Sequence, residues 1–254
     1  MKKFYFGSNL KMYKNIQETK KYLTELNAFT KDISRESMEL FIIPSFTSLS
    51  SAVTCVDRNL IKLGAQNMFW EDKGPFTGEI SPLMLKELGL DIVEIGHSER
   101  RHVFGESDED ANRKVLSASA NGFIPLLCIG ETADDKKYGT ADEVLRIQLK
   151  TGLHNFTGSN ILIAYEPTWA IGETGTPAPA AYVAERHKTI RCSLTELFGA
   201  GGNDIAVLYG GSVNSGNAAE LAELDNVDGL FIGRSAWNAG DFNSLIRAVL
   251  PEVN

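Results

Sequence analysis

The sequence is poor in the residues that build metal sites and disulfide frameworks. Only three cysteines (Cys55, Cys128 and Cys192) occur among 254 residues, and no two of them form a CxxC pair. This argues against a disulfide-stabilised scaffold and against a zinc site. No other cluster of metal ligands is visible, so we expect neither a metal ion nor a cofactor. A reducing compartment fits this cysteine usage, and we expect a cytoplasmic protein.

Long hydrophobic runs and an excess of basic residues are also missing. No apolar run approaches the roughly 20 residues that cross a bilayer, and the apolar part of the N-terminus is too short for a signal peptide. The net charge of -8 argues against nucleic acid as a partner. We therefore expect no membrane and no nucleic acid, and any anion must be bound by a local site.

What is present is the composition of a soluble globular protein, with 43% hydrophobic and 23% charged residues. The length suits an α/β barrel that forms one domain. We find no linker, no repeat of high identity and no low-complexity tract. The sequence therefore predicts a single domain over residues 1–254.

Eight short apolar runs bounded by turn signals alternate with helical patterns. They begin about every 32 residues on average, which is the length of a βα unit. This predicts a parallel sheet closed into a (β/α)8 barrel. The alternative is an open doubly wound sheet, but no GxGxxG follows the first run. The predicted strands are Phe4–Ser8, Leu40–Ile43, Leu60–Ala65, Ile92–Ile95, Phe123–Cys128, Ile161–Ala164, Ile205–Tyr209 and Gly229–Ile232.

Glu166 ends the sixth predicted strand, and Pro167 forces the chain to turn directly after it. Functional groups of such barrels collect where the strands end. Trp169 to Gly172 then starts a loop that has a large ring and a flexible glycine. The pattern indicates a base covered by a lid; the alternative is a carboxylate that merely caps the next element.

Three further polar residues lie at predicted strand ends. Lys11 suits an anionic group or a developing oxyanion, and Asn9 could orient a carbonyl or hold Lys11 and the carboxylate in place. His97 is followed by a helix start whose backbone donors could lower its pKa and keep the ring neutral. The alternatives are a solvated lysine and a core histidine. The other three histidines, which are interpreted as surface residues, are His102, His154 and His187.

Two loops rich in small residues follow the last two strands. They are Gly210-Gly211-Ser212 and Gly233-Arg234-Ser235. Barrels commonly bind phosphate at this position, although both loops could be simple tight turns. A phosphate site, a carboxylate base, a neutral imidazole and a cation together suit proton transfer next to a carbonyl group, through an enediolate.

These motifs resemble those of the triosephosphate isomerase family, nearly from end to end. The resemblance implies a TIM barrel. The matching segments are Asn9–Met12, Gly64–Asn67, Phe76–Ser81, Gly96–Arg101, Cys128–Glu131, Tyr165–Gly172 and Tyr209–Val213.

The resemblance implies a role for each residue. Glu166 would be the base and His97 the neutral electrophile, and Lys11 and Asn9 would polarise and position the substrate. The roles of the base and the neutral histidine are well known for this family. Closure of the 169–176 loop would exclude water. The residues implied to bind phosphate are Gly172, Ser212, Gly233 and Arg234, and those implied to support the site are Glu99 and Cys128.

The resemblance also implies a homodimer. The loop Gln66–Glu79 would insert into the neighbouring subunit beside the Asn9–Lys11 loop, and Thr77 would reach furthest. Gln66 and Asn67 begin this loop. The partners expected are thus a small sugar phosphate and a second copy of the chain.

The chain departs from the family pattern at Leu10, Tyr13, the lid end 172–178, Arg234 and Glu94. We place these changes at the lid hinge and the phosphate loop, away from the catalytic groups.

The first interpretation is interconversion of dihydroxyacetone phosphate and glyceraldehyde 3-phosphate, with a place in glycolysis and gluconeogenesis. The alternative is an isomerase of four-carbon ketose phosphates, such as an L-erythrulose-1-phosphate isomerase. More distant alternatives are a Schiff-base aldolase, which would want a lysine inside a strand, and a non-catalytic phosphate-binding barrel.

Overall fold

A closed barrel of eight parallel strands forms the centre of the molecule, as the computed structural model shows for residues 3–172 and 175–250. The strands follow one another around the barrel in chain order, and β1 closes it by pairing with β8. The (β/α)8 fold is confirmed, and the open-sheet alternative is wrong. The strands are β1 Phe4–Asn9, β2 Met38–Ile43, β3 Lys62–Ala65, β4 Ile92–Ile95, β5 Ile124–Ile129, β6 Leu162–Tyr165, β7 Ala206–Tyr209 and β8 Gly229–Phe231.

Helices surround the barrel, and several of them begin at a residue whose side chain caps the first turn. Asn15 and Ser107 each accept a hydrogen bond from a backbone N–H in the first turn and form a capping box. No helix in the described part of the chain combines the length and the apolar character needed to cross a membrane. The helices are α1 Ile16–Thr30, α2 Phe46–Ala52, α3 Pro82–Glu87, α4 Ser98–Phe104, α5 Asp108–Ala120, α6 Ala133–Tyr138, α7 Ala141–Gly152, α8 Ala180–Phe198, α9 Ala218–Ala222 and α10 Ala239–Val249.

Buried apolar residues form two layers because successive strand residues point to opposite faces. One cluster is built from strand residues alone and fills the barrel; Leu126 and Cys128 belong to it. Leu127 lies between them in sequence and packs in the second cluster, between strands and helices. A Cβ on Gly7 would lie 2.0 Å from the ring of Phe41. Glycine at this position therefore makes room for a ring that fills the barrel interior.

The interpretation of His187 as a surface residue is wrong, whereas His102 and His154 are exposed as expected. His187 lies on α8, is fully buried and contacts the rings of Tyr165 and Tyr209. Its Nδ1 is 3.0 Å from the carbonyl oxygen of Asn226. The sequence carried a signal, because His187 follows Val183 by four residues, and Val183 lies on the apolar face of the helix.

Candidate active site

The carboxyl ends of the strands surround one cavity of about 410 Å³. This is the size range of a small-molecule site. The barrel thus brings together side chains that are up to about 220 residues apart in the sequence. Predicted residues that line the cavity are Asn9, Lys11, His97, Glu99, Glu166, Gly172, Ser212, Gly233 and Arg234.

His97 and Glu166 lie side by side at the base of the cavity. His97 Nε2 is 3.7 Å from Glu166 Oε1, and both side chains are almost completely buried. His97 is the N-cap of α4, and its Nδ1 accepts a hydrogen bond from the backbone N–H of Glu99 at 3.1 Å. A ring nitrogen that accepts carries no proton, so the proton of this imidazole is on Nε2. The ring can therefore donate a hydrogen bond on the side where Glu166 lies.

Glu166 follows β6 and is held by its backbone, while its carboxylate stays available. Its N–H donates to the carbonyl oxygen of Ile129 at 2.7 Å. A Cβ on Gly130 would lie 1.9 Å from the Glu166 carbonyl oxygen, and one on Gly210 would lie 2.8 Å from its Cγ. Both glycines are thus needed for this close approach. Glu166 Oε2 is buried and has no hydrogen-bond partner among the described residues. An unpartnered carboxylate oxygen in a cavity is suited to accept a proton.

Asn9, the last residue of β1, and Lys11 form a tight turn at the end of that strand. Lys11 has a φ of 49°, in the left-handed region, and its N–H donates to Asn9 Oδ1 at 2.7 Å. Lys11 Nζ donates to Glu99 Oε1 at 2.6 Å, so the ammonium group is held at the cavity wall. Trp237 Nε1 donates to the Asn9 carbonyl oxygen at 2.9 Å, and its ring packs on Tyr13. Trp237 was not predicted as a site residue.

Glu94 lies beside the groups that we predicted to be catalytic. Our prediction that the departures from the family pattern lie away from these groups is therefore wrong for Glu94. Its Oε2 accepts a hydrogen bond from Asn9 Nδ2 at 2.7 Å. One side-chain atom from each of Glu94, His97 and Glu166 lies within 4.8 Å of the others. The barrel therefore places two carboxyl groups beside one imidazole. The signal in the sequence was a carboxylate inside a four-residue strand whose other three residues are apolar.

Cys128 lies below the cavity, inside the barrel. Its Sγ is 3.9 Å from Glu94 Oε1. Burial raises the pKa of the Cys128 thiol, and the carboxylates of Glu166 and Glu94 act in the same direction. Cys128 is therefore an uncharged thiol that packs beneath the reactive groups, which is consistent with a supporting position.

The opposite end of the cavity is formed by the two glycine-containing loops. Gly233 and Arg234 follow β8, and Ser212 follows β7. Arg234 Nη2 donates to the Gly172 carbonyl oxygen at 2.9 Å, which connects this end to the loop after Glu166. Ser235 Oγ donates to the Val213 carbonyl oxygen at 2.8 Å and joins the two loops. A guanidinium group and exposed backbone make this end suitable for an anion.

The loop after Glu166 is anchored at its start. Trp169 Nε1 donates at 2.9 Å to Oε1 of the buried Glu131, which also accepts from the hydroxyls of Tyr165 and Tyr182. The Lys136 ammonium lies 3.3 Å from the centre of the Trp169 ring. The predicted lid, 169–176, includes Glu173 and Thr174, which lie outside the described residues. The start of the lid is therefore fixed by the hydrogen bond from Trp169 to the Glu131 carboxylate.

Two residues of the predicted dimer loop contact other parts of the same chain. Gln66 Nε2 donates to Asn9 Oδ1 at 3.0 Å and to the Lys11 carbonyl oxygen at 2.8 Å. The buried Asn67 accepts from Lys114 Nζ at 2.9 Å. Thr77 is exposed. The beginning of this loop thus supports the Asn9–Lys11 turn within one chain, a role that the sequence did not predict.

The fold and these side chains define a (β/α)8 barrel with a small-molecule site at the carboxyl ends of its strands. A family model described as Triosephosphate isomerase matches residues 4–249. The chain therefore belongs to the triosephosphate isomerase family and is a sugar-phosphate isomerase.

Curated relatives match over nearly their whole length. A protein from Rhizobium etli is 44% identical over 253 residues, which cover 98% of this chain and 93% of the relative. One from Brucella abortus biovar 1 is 43% identical over 257 residues, which cover 100% of this chain and 99% of the relative. One from Rhizobium meliloti is 41% identical over 251 residues, which cover 97% of each chain. All three carry the name L-erythrulose-1-phosphate isomerase.

Proposed function

We propose that this enzyme isomerises a four-carbon ketose phosphate, L-erythrulose 1-phosphate. The observation that carries this proposal is the identity of 41–44%, over nearly the whole chain, to relatives with that name. This identity favours the four-carbon ketose phosphate, which was our alternative, over the triose phosphate, which was our first interpretation. A place in glycolysis and gluconeogenesis depended on the triose substrate and is no longer supported.

The proposed chemistry moves one proton between neighbouring carbons. Erythrulose 1-phosphate has its carbonyl group at C2 and a hydroxyl group at C3. Glu166 takes the proton from C3, and the electrons of that C–H bond form the enediolate double bond. The proton of the C3 hydroxyl is transferred to the C2 oxygen, which becomes a hydroxyl group. The proton held by Glu166 is then delivered to C2 as the C3 oxygen becomes the new carbonyl. The product is a second ketose phosphate with its carbonyl at C3, and no oxidant or cofactor is required.

The other polar groups of the cavity stabilise the charge that develops on oxygen. His97 has its proton on Nε2 and donates a hydrogen bond to the enediolate oxygens without carrying a charge. The Lys11 ammonium supplies a positive charge and Asn9 an amide donor. These groups are held in place before the substrate arrives, because Asn9, Gln66 and Glu99 restrain the turn. Preorganised donors of this kind contribute a large part of the rate enhancement in many enzymes.

Phosphate binding is assigned to the far end of the cavity. Ser212, Gly233 and Gly172 present backbone groups there, and Arg234 adds a guanidinium group. The net charge of the chain is -8, so these local donors must outweigh the overall field. Closure of the loop after Trp169 would exclude water from the enediolate.

A substrate panel tests the proposal. The catalytic efficiency kcat/KM is measured for L-erythrulose 1-phosphate and for glyceraldehyde 3-phosphate under the same conditions. We expect the four-carbon substrate to be preferred by about a thousandfold, which corresponds to roughly 4 kcal/mol of transition-state stabilisation. Equal efficiencies, or a preference for the triose, would refute the proposed substrate but leave the isomerase chemistry intact.

A homodimer and a cytoplasmic location are part of the proposal. Large apolar side chains are exposed near the Asn9–Lys11 turn and on the loop that carries Thr77, among them Met12, Tyr13 and Phe76. The expected homodimer would bury these side chains, and large exposed apolar patches mark protein interfaces. Sedimentation velocity at micromolar concentration should give a species of twice the chain mass. The three cysteines are free, which fits a reducing compartment.

A further inference from the structure

Glu94 is a carboxyl residue inside a barrel that is otherwise filled with apolar side chains. Its exposed fraction is 1%. Ile92, two residues earlier on β4, belongs to the apolar cluster of the barrel interior. Residues two apart on a strand point to the same face, so Glu94 also points into the barrel. Burial of a carboxyl group opposes folding unless hydrogen bonds compensate for it. Its contacts therefore indicate its role.

The hydrogen bond from Asn9 links Glu94 to the reactive end of the cavity. Asn9 Nδ2 donates to Glu94 Oε2 at 2.7 Å, and both residues are buried. Asn9 Oδ1 accepts from the Lys11 N–H and from Gln66 Nε2. These three bonds fix the plane of the amide and leave one N–H of Asn9 for the cavity that it lines. Glu94 is the partner that holds the nitrogen side of this amide.

The groups around Glu94 come from four strands of the barrel. Asn9 ends β1 and Lys11 follows it, His97 follows β4, Cys128 lies on β5 and Glu166 follows β6. Burial raises the pKa of Glu94 to about 7, and the carboxylate of Glu166 adds to this effect. A positive charge on His97 would act in the opposite direction, but its Nδ1 accepts a hydrogen bond and its ring is neutral. The Asn9 hydrogen bond and the Lys11 ammonium lower the pKa of Glu94. The carboxyl group thus changes its charge near neutral pH, within 4.8 Å of His97 and Glu166 atoms.

We propose that Glu94 is a positioning residue for the isomerisation: its neutral carboxyl group holds the amide of Asn9, and loss of its proton inactivates the site. Ionised Glu94 places a second negative charge beside the base. The enediolate is itself negative, and like charges repel strongly in a site that excludes water. The neutral acid holds Asn9 through its carbonyl oxygen without this repulsion. The inference rests on the proposed isomerase function.

The test is a pH profile of kcat/KM, which reports ionisations of the free enzyme. The range is pH 6.5 to 8.5, where the substrate phosphate, with a second pKa of about 6, is already mostly a dianion. With a Glu94 pKa of about 7, the protonated fraction, and with it kcat/KM, should fall about 25-fold across this range. Glu94→Gln keeps an oxygen acceptor for Asn9 and cannot titrate, so its profile should be flat over the same range.

A second variant separates orientation from charge. Glu94→Leu removes the acceptor for Asn9 Nδ2, and we expect kcat to fall about 100-fold at every pH, with a much smaller change in KM. The matched control is Glu39→Gln. Glu39 is also a strand carboxylate, but it pairs with Lys3 and Lys62 near the start of β2. This control should keep the wild-type profile.

The outcomes distinguish the role of Glu94 from the choice of substrate. An alkaline fall of equal size in Glu94→Gln, or full activity in Glu94→Leu, would overturn the role of Glu94. Each profile is measured with the four-carbon and the three-carbon substrate, so a preference for the triose would refute only the proposed substrate. If neither is converted, the proposed function fails. The infrared C=O band of a neutral carboxyl group, lost near pH 7 in the wild type and absent from Glu94→Gln, would then still test the protonation of Glu94.

Discussion

Replacement of Gly210 by alanine should displace the proposed base without disturbing the fold. Gly210 follows β7, and its φ is not in the left-handed region, so alanine adds no backbone strain. A Cβ at this position would lie 2.8 Å from Glu166 Cγ and 3.2 Å from Glu166 Oε1. The optimal separation of two non-bonded carbon atoms is about 3.5–4.0 Å. The Glu166 side chain must therefore move by about 0.7 to 1.2 Å.

A shift of this size is large for a group that removes a proton from carbon. A misplacement of about 1 Å can lower the rate by about 100-fold, which corresponds to roughly 3 kcal/mol of transition-state stabilisation. Glu166 Oε1 is the oxygen that lies 3.7 Å from His97 Nε2, so the relative position of base and imidazole changes as well. The three atoms nearest to the new Cβ all belong to the Glu166 side chain, and none belongs to a residue assigned to phosphate. We therefore expect most of the loss in kcat and little change in KM.

The assay is steady-state kinetics with the better substrate of the panel, together with thermal unfolding of each variant. The matched control is Gly201→Ala, because a Cβ there would have nothing within 4 Å. The control should keep wild-type kinetics. A folded Gly210→Ala enzyme with full kcat would refute the argument, since it would show that the base tolerates the displacement or that Glu166 is not the base.

Three further predictions follow from single residues. Glu166→Gln should lower kcat by about 1000-fold, because the amide cannot accept the proton, while calorimetry still detects binding of inorganic phosphate; full turnover would exclude Glu166 as the base. Burial lowers the pKa of His187 to about 4 from its usual 6.5. Its contribution to stability is therefore complete above pH 6.5 and declines as the pH falls to 4. Relative to His187→Gln, the wild type should lose about 3 kcal/mol of unfolding free energy between pH 7 and pH 4 in urea titrations; parallel losses in both proteins would contradict this. Gly7→Ala places a Cβ 2.0 Å from the Phe41 ring, so it should cost about 1–3 kcal/mol of stability by the same method, and unchanged stability would mean that the ring can move aside.

The strands were predictable because each is a short apolar run between turn signals. All eight are present, and their ends differ from the prediction by at most two residues. The closed parallel topology then follows from the alternation with helices. This topology also explains why the candidate site could be predicted. Once the strands are known, Asn9, His97 and Glu166 must lie at the same rim, although they are far apart in the chain.

The contacts of Glu94 and Gln66 could not be predicted in the same way. A pattern along one strand shows that Glu94 is unusual, but it does not show that Asn9 Nδ2 lies 2.7 Å away. Gln66 was assigned to a dimer loop, yet it donates to Asn9 and Lys11 of its own chain. Both contacts depend on the relative position of strand ends that are 57 and 85 residues apart in the sequence. Local spacing carries no such information.

The sequence by itself determined the barrel, the residues that meet at its rim and the family, because these depend on local periodicity and on motifs. The tertiary structure decided the charge environment of the site. It buried His187 against Tyr165 and Tyr209, and it placed Glu94 beside Asn9, His97 and Glu166. The physical reason is that burial and the proximity of other charges set the protonation of a side chain, and both arise only when the strands close into a barrel.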